Sequence, residues 1–450
     1  MIAGMSEVAH PPRWFWTKRL AWGSALVVVG MVLFYAGWDV WLRVAVGREE
    51  EALRGMGVAL THGEVPTERV PSRAAVLYRD AAASLTMTLE EREQVFVYAR
   101  RYGRETIDVS APLAANGRAL ALMREASREE EMAWATTYPL SFTGPRVVTR
   151  ELSTVACAAA LHAHDRGMGA EAMAHFYDAL RVERKPIGAS VIWTLAWLMS
   201  VHQQTTVGQH LVQRADIGAD PAMTRRVIAA LLDEKPHENA MACLKGGWTD
   251  VLSEYDASGF YGATAFGRAD RLATLRYVRG VTAAAAAGDA WASTQMAKRI
   301  EYPVTESRTV TTRLPRQVAL MVLPAFSDSA MRLHLARAQR CVLAAAFAAR
   351  LYEVEQGKLP ATLEALVPAY LPAVPDDPFA PGQKVRYVNE ANDPRVYSVG
   401  ENFADDKGVG HAHRRAAGEM LRPWDEYNRP DLVMYLRLAR AASTMPKRVE

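Results

Sequence analysis

The apolar and polar positions of this chain divide sharply near its start. Residues 20–38, LAWGSALVVVGMVLFYAGW, hold no ionisable side chain and lie between Lys18-Arg19 and Asp39. A hydrocarbon core of roughly 30 Å needs about 20 apolar residues in a helix, so the run predicts one membrane span. Inside lipid every backbone donor and acceptor must bond internally, which leaves helix as the conformation open to a single segment. Trp14, Phe15 and Trp16 before the run, and Tyr35, Trp38 and Trp41 at its far end, occupy interfacial aromatic positions. A cleaved signal peptide has an apolar core of about 7–15 residues, shorter than this one. The expectation is an uncleaved anchor.

Beyond the anchor the period is helical. Residues 40–60 continue the anchor helix until the segment from Pro66 to Pro71 breaks it. A helix over 72–85 follows. Thr88 and Glu91 then form a capping box for 89–102. Ser110 caps a helix over 110–126 with Pro112 in its first turn, and 129–146 reads as loop. Residues 147–166 and 170–184 predict a helical hairpin turning at Gly167-Met168-Gly169, with a second such arrangement around Gly288. No fixed period of about 34 residues recurs, so irregular stacked hairpins are expected rather than a repeat array.

Residues 186–201 are uncharged but too short for a second span, so they predict a core helix with Trp193 and Trp197 one turn apart. Asp220 with Pro221 opens a helix ending near Pro236. Further helices are expected over 238–254, 268–287 and 289–299, with a glycine and aromatic loop at 259–267. A long helix over 314–356 is expected to break at Pro324.

Composition changes this picture little. The chain is 50% hydrophobic and 23% charged, as folded domains are, and its net charge is +3. Lys and Arg mix with Asp and Glu along its length, which gives nucleic-acid binding no support. Cys157, Cys243 and Cys341 have no metal-ligand spacing and read as small buried hydrophobes. Arg13, Lys18 and Arg19 precede the span, and Arg43, Arg48 and Arg54 follow it. The Lys18-Arg19 pair abuts the run, whereas the far flank opens on Asp39 and leads to Glu49-Glu50-Glu51. That asymmetry predicts a cytoplasmic N-terminus and an extracytoplasmic body.

Searches for chemistry return little. No GxSxG elbow, phosphate loop or GxGxxG turn occurs. His237-Glu238 starts like a zinc-protease motif, but Met241 stands where the second histidine belongs. His162 and His164 lie two apart on a helix and diverge, and His411 and His413 fall in a polar stretch.

The C-terminal part is more informative. A helix over 329–356 leads into Gly357-Lys358-Leu359-Pro360, a short helical turn at 362–366 and the PDDPF turn at 375–379. Strands at 384–388 and 395–399 follow, and a polar loop, GENFADDKG, closes the unit. In the tail, 431–442 predict a short amphipathic helix from Leu432, Tyr435, Leu436 and Leu438.

The pieces LYEVEQGKLPATLEALVPAYL, PDDPF and YSVGENFADD resemble the globular module of the G-type major pseudopilins of type II secretion. The resemblance covers about sixty residues. It implies a calcium site in the loop after the last strands, which maps onto Glu401, Asn402, Asp405 and Asp406. Oxygen ligands crowded into one turn suit that ion. It also implies a Gram-negative-type periplasm, hence an inner (cytoplasmic) membrane anchor. The assembly helix and Gly-Phe cleavage signal of such pilins do not precede the module, which argues against a pilus subunit. The whole chain is similar to singly anchored helical proteins carrying this module, a likeness that implies no reaction.

The expected fold is therefore mainly α. A cytoplasmic N-terminus (1–19) and a transmembrane anchor (20–38) precede an irregular α-hairpin domain (39–328). A small α+β pseudopilin-like module with a short antiparallel sheet (329–410) and a basic tail with a short helix (411–450) complete it. The expected role is a membrane-anchored extracytoplasmic binding or scaffold protein with a protein partner and without catalysis. Two alternatives stand beside it: an accessory subunit of a type II secretion or pilus-like system, and an unrecognised hydrolase in the helical domain.

Overall fold

The computed structural model describes residues 13–64, 70–101, 107–134, 146–184, 191–214, 216–257, 262–297, 329–391, 393–409 and 431–437. The expected loops at 135–145 and 258–261, the 314–328 stretch with Pro324, and His411 and His413 lie outside them. The described part is mainly helical, with one long apolar helix near the N-terminus and one small antiparallel sheet.

The first helix, α1, runs unbroken over Arg13–Gly55, 43 residues. Gly57 then takes a positive φ of 76°, a conformation that suits glycine, and the helix ends there. Four helices follow: α2 (Arg73–Ala83), α3 (Leu89–Arg101), α4 (Ser110–Ala115) and α5 (Gly117–Ala126). The Thr88–Glu91 box forms as expected: Thr88 N–H donates to Glu91 Oε2 at 2.8 Å, and Glu91 N–H to Thr88 Oγ1 at 3.2 Å. The single helix expected over 110–126 is instead two. Buried Asn116 separates them, accepting from Thr86 N–H at 2.8 Å and donating to the Pro112 carbonyl at 2.7 Å.

The hairpin α6 (Arg146–Asp165) and α7 (Gly169–Arg181) turns at Gly167, φ 72°. A Cβ on Gly169 would lie 2.4 Å from the Asp216 carbonyl oxygen, so a residue without a side chain lets the turn touch that backbone. The chain continues through α8 (Val191–Arg214), α9 (Pro221–Leu232), α10 (Lys235–Ala257), α11 (Ala265–Ala285) and α12 (Ala290–Ala297). Asp220 caps α9 from Oδ1 at 2.9 Å. That helix stops at Leu232, short of Pro236, which lies in the first turn of α10. The expected loop at 259–267 gives way to helix at Ala265, because Thr264 Oγ1 accepts from Gly267 N–H at 3.0 Å and starts α11.

The last helix, α13 (Ser329–Gln356), packs on a sheet of order β1 (Arg386–Val388), β2 (Arg395–Ser398), β3 (Leu432–Tyr435). Both pairings are antiparallel, with Val396 opposite Tyr387 on one side and Met434 on the other. The helix expected over 431–442 is thereby corrected, since its described part is strand β3. Leu432, Tyr435 and Leu436 suit either period, and the open edge of β2 decides for strand by offering backbone partners.

Among the described residues two large cores and a small third one, around Phe379 and Val399, hold the body together. One gathers α2, α3, α5, α6, α7, α9 and the sheet around Phe176 and Phe347. The other gathers the second half of α1 with α10 and α11 around Trp193, Trp197 and Trp248. Two helices run through both. In α8, Trp193, Trp197 and Val201 belong to the second core and Val207, Leu211 and Val212 to the first. In α13, Ala330, Leu333 and Ala336 belong to the second, and Cys341 to Leu351 to the first. Of the core helix expected over 186–201, Trp193 and Trp197 are buried core residues 6.3 Å apart, while Met199 is exposed. Cys157, Cys243 and Cys341 are buried, as expected.

Candidate functional site

Three places concentrate charge or orphaned polar groups. The first is where α1 leaves its apolar run. Among the described residues one helix, α1, is long and apolar enough to cross a membrane, and none of its apolar window is buried by them. Past it, Leu42, Val46 and Leu53 sink into the second core. Burying such side chains contributes about 1.5–3 kcal/mol each, so the helix is held firmly from Leu42 onward. α11 runs alongside in the same direction. Ala265 N–H donates to Tyr35 Oη at 3.3 Å, and Trp38 meets Phe266 edge-on at 5.5 Å. Arg268 Nε donates to Asp39 Oδ1 at 2.8 Å, Arg271 to Glu50 at 2.9 Å, and Arg279 pairs with Glu49 at 2.8 Å. The helix α1 and the body are thus joined by ion pairs as well as by apolar contact.

The second place is the closing loop of the C-terminal unit, where the calcium ligands were expected. Glu401, Asn402, Asp405 and Asp406 do fall in one loop. Their side chains, however, bond to protein. Asp405 Oδ1 accepts from Tyr397 Oη at 3.1 Å and from Lys407 N–H at 2.9 Å, while its Oδ2 lies 3.2 Å from Arg386 Nε. Asn402 Nδ2 donates to Asp406 Oδ2 at 2.9 Å, and its Oδ1 accepts from Ala404 N–H at 3.0 Å. Among the described residues no three His, Cys, Asp or Glu side chains are grouped to hold a metal ion. Calcium takes about 6–8 oxygens, and the loop as arranged does not fit that demand.

Two aspartates absent from the expected set organise this unit instead. Asp377, in the PDDPF turn, is buried. Its Oδ1 accepts from Ser398 Oγ at 2.6 Å and Phe379 N–H at 3.0 Å, and its Oδ2 from Val399 N–H at 3.1 Å and Arg386 Nη1 at 3.2 Å. Asp431, just before β3, accepts from Asp406 N–H at 3.2 Å and Gly408 N–H at 2.7 Å. Burial pushes its carboxyl up to about 6, against those two bonds. Arg386 joins the system by reaching both Asp377 and Asp405. The quoted PDDPF motif was the available signal for Asp377. Asp431 had none, because its partners lie 23 and 25 positions away.

The third place is a buried polar seam among α6, α7 and α8. Thr154 Oγ1 donates to Gln203 Oε1 at 3.0 Å, and Gln204 Nε2 to the Ala179 carbonyl at 2.9 Å. Beside them Glu183 is fully enclosed, and burial pushes its carboxyl up to about 8, so at neutral pH it carries a proton. Ser200 beside it opposes that rise, and Arg184 Nε finds no hydrogen-bond partner among the described residues. A similar case lies between α10 and α13. His237 and His334 stand 6.5 Å apart, and burial lowers both to about 4. His162 and His164 do not converge on each other; the ring of His164 instead meets His210 at 5.6 Å.

Comparison with protein-family models, with curated proteins and with solved structures finds no match for the chain. The class rests on the fold: a mainly helical protein with one candidate membrane-spanning helix near its N-terminus and a small antiparallel sheet near its C-terminus.

Proposed function

We propose that this chain is a membrane-anchored, extracytoplasmic scaffold or binding protein that presents its helical body and sheet-bearing end at a fixed position above the bilayer. The observation that carries it is the continuity of α1. One helix supplies both an apolar stretch that none of the described residues covers and, from Leu42 on, a wall of the second core. A flexible tether would need no such wall. The reading involves no catalytic step, and it routes nothing through calcium.

The test is made on intact cells and their membranes. The protein should resist carbonate extraction at full length, and external protease should digest the body once the outer permeability barrier is opened. Release by carbonate, or a body digested only after lysis, sinks the proposal.

A second reading is an accessory subunit of a type II secretion or pilus-like machine. The packing of α13 on an antiparallel sheet closed by a polar loop favours it. Cross-linking in membranes followed by recovery of secretion-machine components supports that reading, and recovery of none counts against it.

A further inference from the structure

In sequence, Asp39 ends the apolar run. In space it does not end the apolar surface. Asp39 faces the body, where Arg268 and Arg43 donate to it. The opposite face of α1 continues uncharged, with Val40, Trp41 and Val44 exposed by 61%, 54% and 50%, whereas Leu42 on the inner face is 1% exposed. Leu33, Gly37, Val40 and Val44 stand on one side of the helix by their spacing, and that side first carries charge at Arg48 and Glu51.

The tip of α11 extends this surface on the other flank. Phe266 is 46% exposed and packs on Trp38. The hydrogen bond from Ala265 to Tyr35 holds the tip about 4.5 Å below the level of Trp38, three residues back along α1. Val44 lies about 9 Å above that level. Hydrocarbon of about 30 Å within a bilayer of 40–45 Å leaves an interfacial layer of roughly 5–7.5 Å per leaflet, so this belt, about 13.5 Å tall, spans that layer and the adjoining edge of the hydrocarbon.

We infer that Val40, Trp41, Val44 and Phe266 form a collar seated in the headgroup layer of a phospholipid bilayer, so that the body rests on the membrane surface. The inference rests on the anchor reading. Lipid is the occupant because the collar is continuous with the lipid-facing side of the apolar run, because aromatic side chains favour this layer, and because the charges at its level, Arg43 and Arg268, are both paired with Asp39. A second copy of the chain or a partner protein would not require apolar side chains on two different flanks to continue the uncovered side of the apolar run.

The experiment uses the full chain in nanodiscs of phosphatidylcholine and phosphatidylglycerol. A polarity-sensitive fluorophore is placed at V28C in the span, V40C and A263C beside the collar, or A361C on the exposed turn after α13, leaving Trp41 and Phe266 in place. Lipids spin-labelled high on the acyl chain then act as quenchers. The expected result is loss of emission at 28, 40 and 263 and none at 361. If 28 is quenched while 40 and 263 behave like 361, the anchor stands and the collar falls. If no position is quenched, both fall. Quenching at 40 alone places only α1 in the interface and overturns the seating of the body. Emission at 40 and 263 that follows protein concentration instead of quencher assigns the face to a second copy, which also overturns the inference.

Discussion

Arg268 donates from Nε to Oδ1 of Asp39 at 2.8 Å across 229 positions of chain. The pair ties the first turn of α11 to the point where α1 leaves its apolar run. An aspartate that reads in sequence as the end of a span is, in space, the attachment point of the body.

If the attachment is a true coupling, Asp39→Ala and Arg268→Ala should each lower the melting temperature of the detergent-solubilised full chain. The double variant should melt no lower than the worse single one, because each removes the same interaction. Strictly additive losses in this cycle would show that the two residues act independently.

Glu183 supplies a prediction in pH. Its folded-state value of about 8 lies above the ordinary 4.5 of an unfolded glutamate. A raised value leaves stability intact below pH 4.5 and removes it progressively as pH rises toward 8. Glu183→Gln, which keeps the shape and cannot ionise, should therefore stabilise the protein at pH 7–8 by on the order of 2 kcal/mol. The gain should vanish near pH 4. Urea unfolding at the two pH values measures it, and a gain independent of pH would place its origin elsewhere.

His237 and His334 act in the opposite direction. Both are lowered from 6.5 to about 4, by burial first and then by Arg337 with Arg340 at His237, and by His237 with Arg337 at His334. The unfolded chain takes up protons that the folded one refuses, so stability is complete above pH 6.5 and declines as pH falls toward 4. Among the described residues neither ring nitrogen of His334 has a hydrogen-bond partner, so His334→Leu forfeits no bond there. This variant should unfold at lower pH than the parent, by roughly 0.5–1 unit for the loss of one of two such groups. An unchanged acid midpoint, followed by circular dichroism, would remove the pair as a cause.

The C-terminal unit separates two accounts of its acidic loop. Asp377→Ala leaves buried donors from Ser398, Phe379, Val399 and Arg386 without their acceptor, a loss on the order of 3–5 kcal/mol. Millimolar calcium should leave the melting temperature unchanged, since Asp405 is already held by Arg386, Tyr397 and Lys407. A rise with calcium that disappears in Asp405→Ala and Asp406→Ala would establish the ion site instead.

Local chemistry made much of this fold legible. The Thr88–Glu91 box, the Asp220 cap, the Gly167 turn and the helix Ser329–Gln356 all depend on neighbours within a few residues. Where a prediction gave way, a distant partner had intervened. Asn116 divides a helix because its amide also serves Thr86, and 432–435 becomes strand because β2 has a free edge. The acidic loop was located correctly, but its ligands bond to Arg386, Tyr397 and one another, which spacing along the chain cannot reveal.

By itself, then, the sequence determined the apolar run, the helical period after it and the small buried cysteines, because hydrophobicity and capping are local properties. The tertiary structure alone decided that α1 continues as a wall of the second core, that α8 and α13 pass through both large cores, and that Asp377 and Asp431 organise the sheet-bearing end. Those outcomes depend on which groups meet after long stretches of chain have folded back. A buried charge or an open strand edge acquires its partner only in three dimensions.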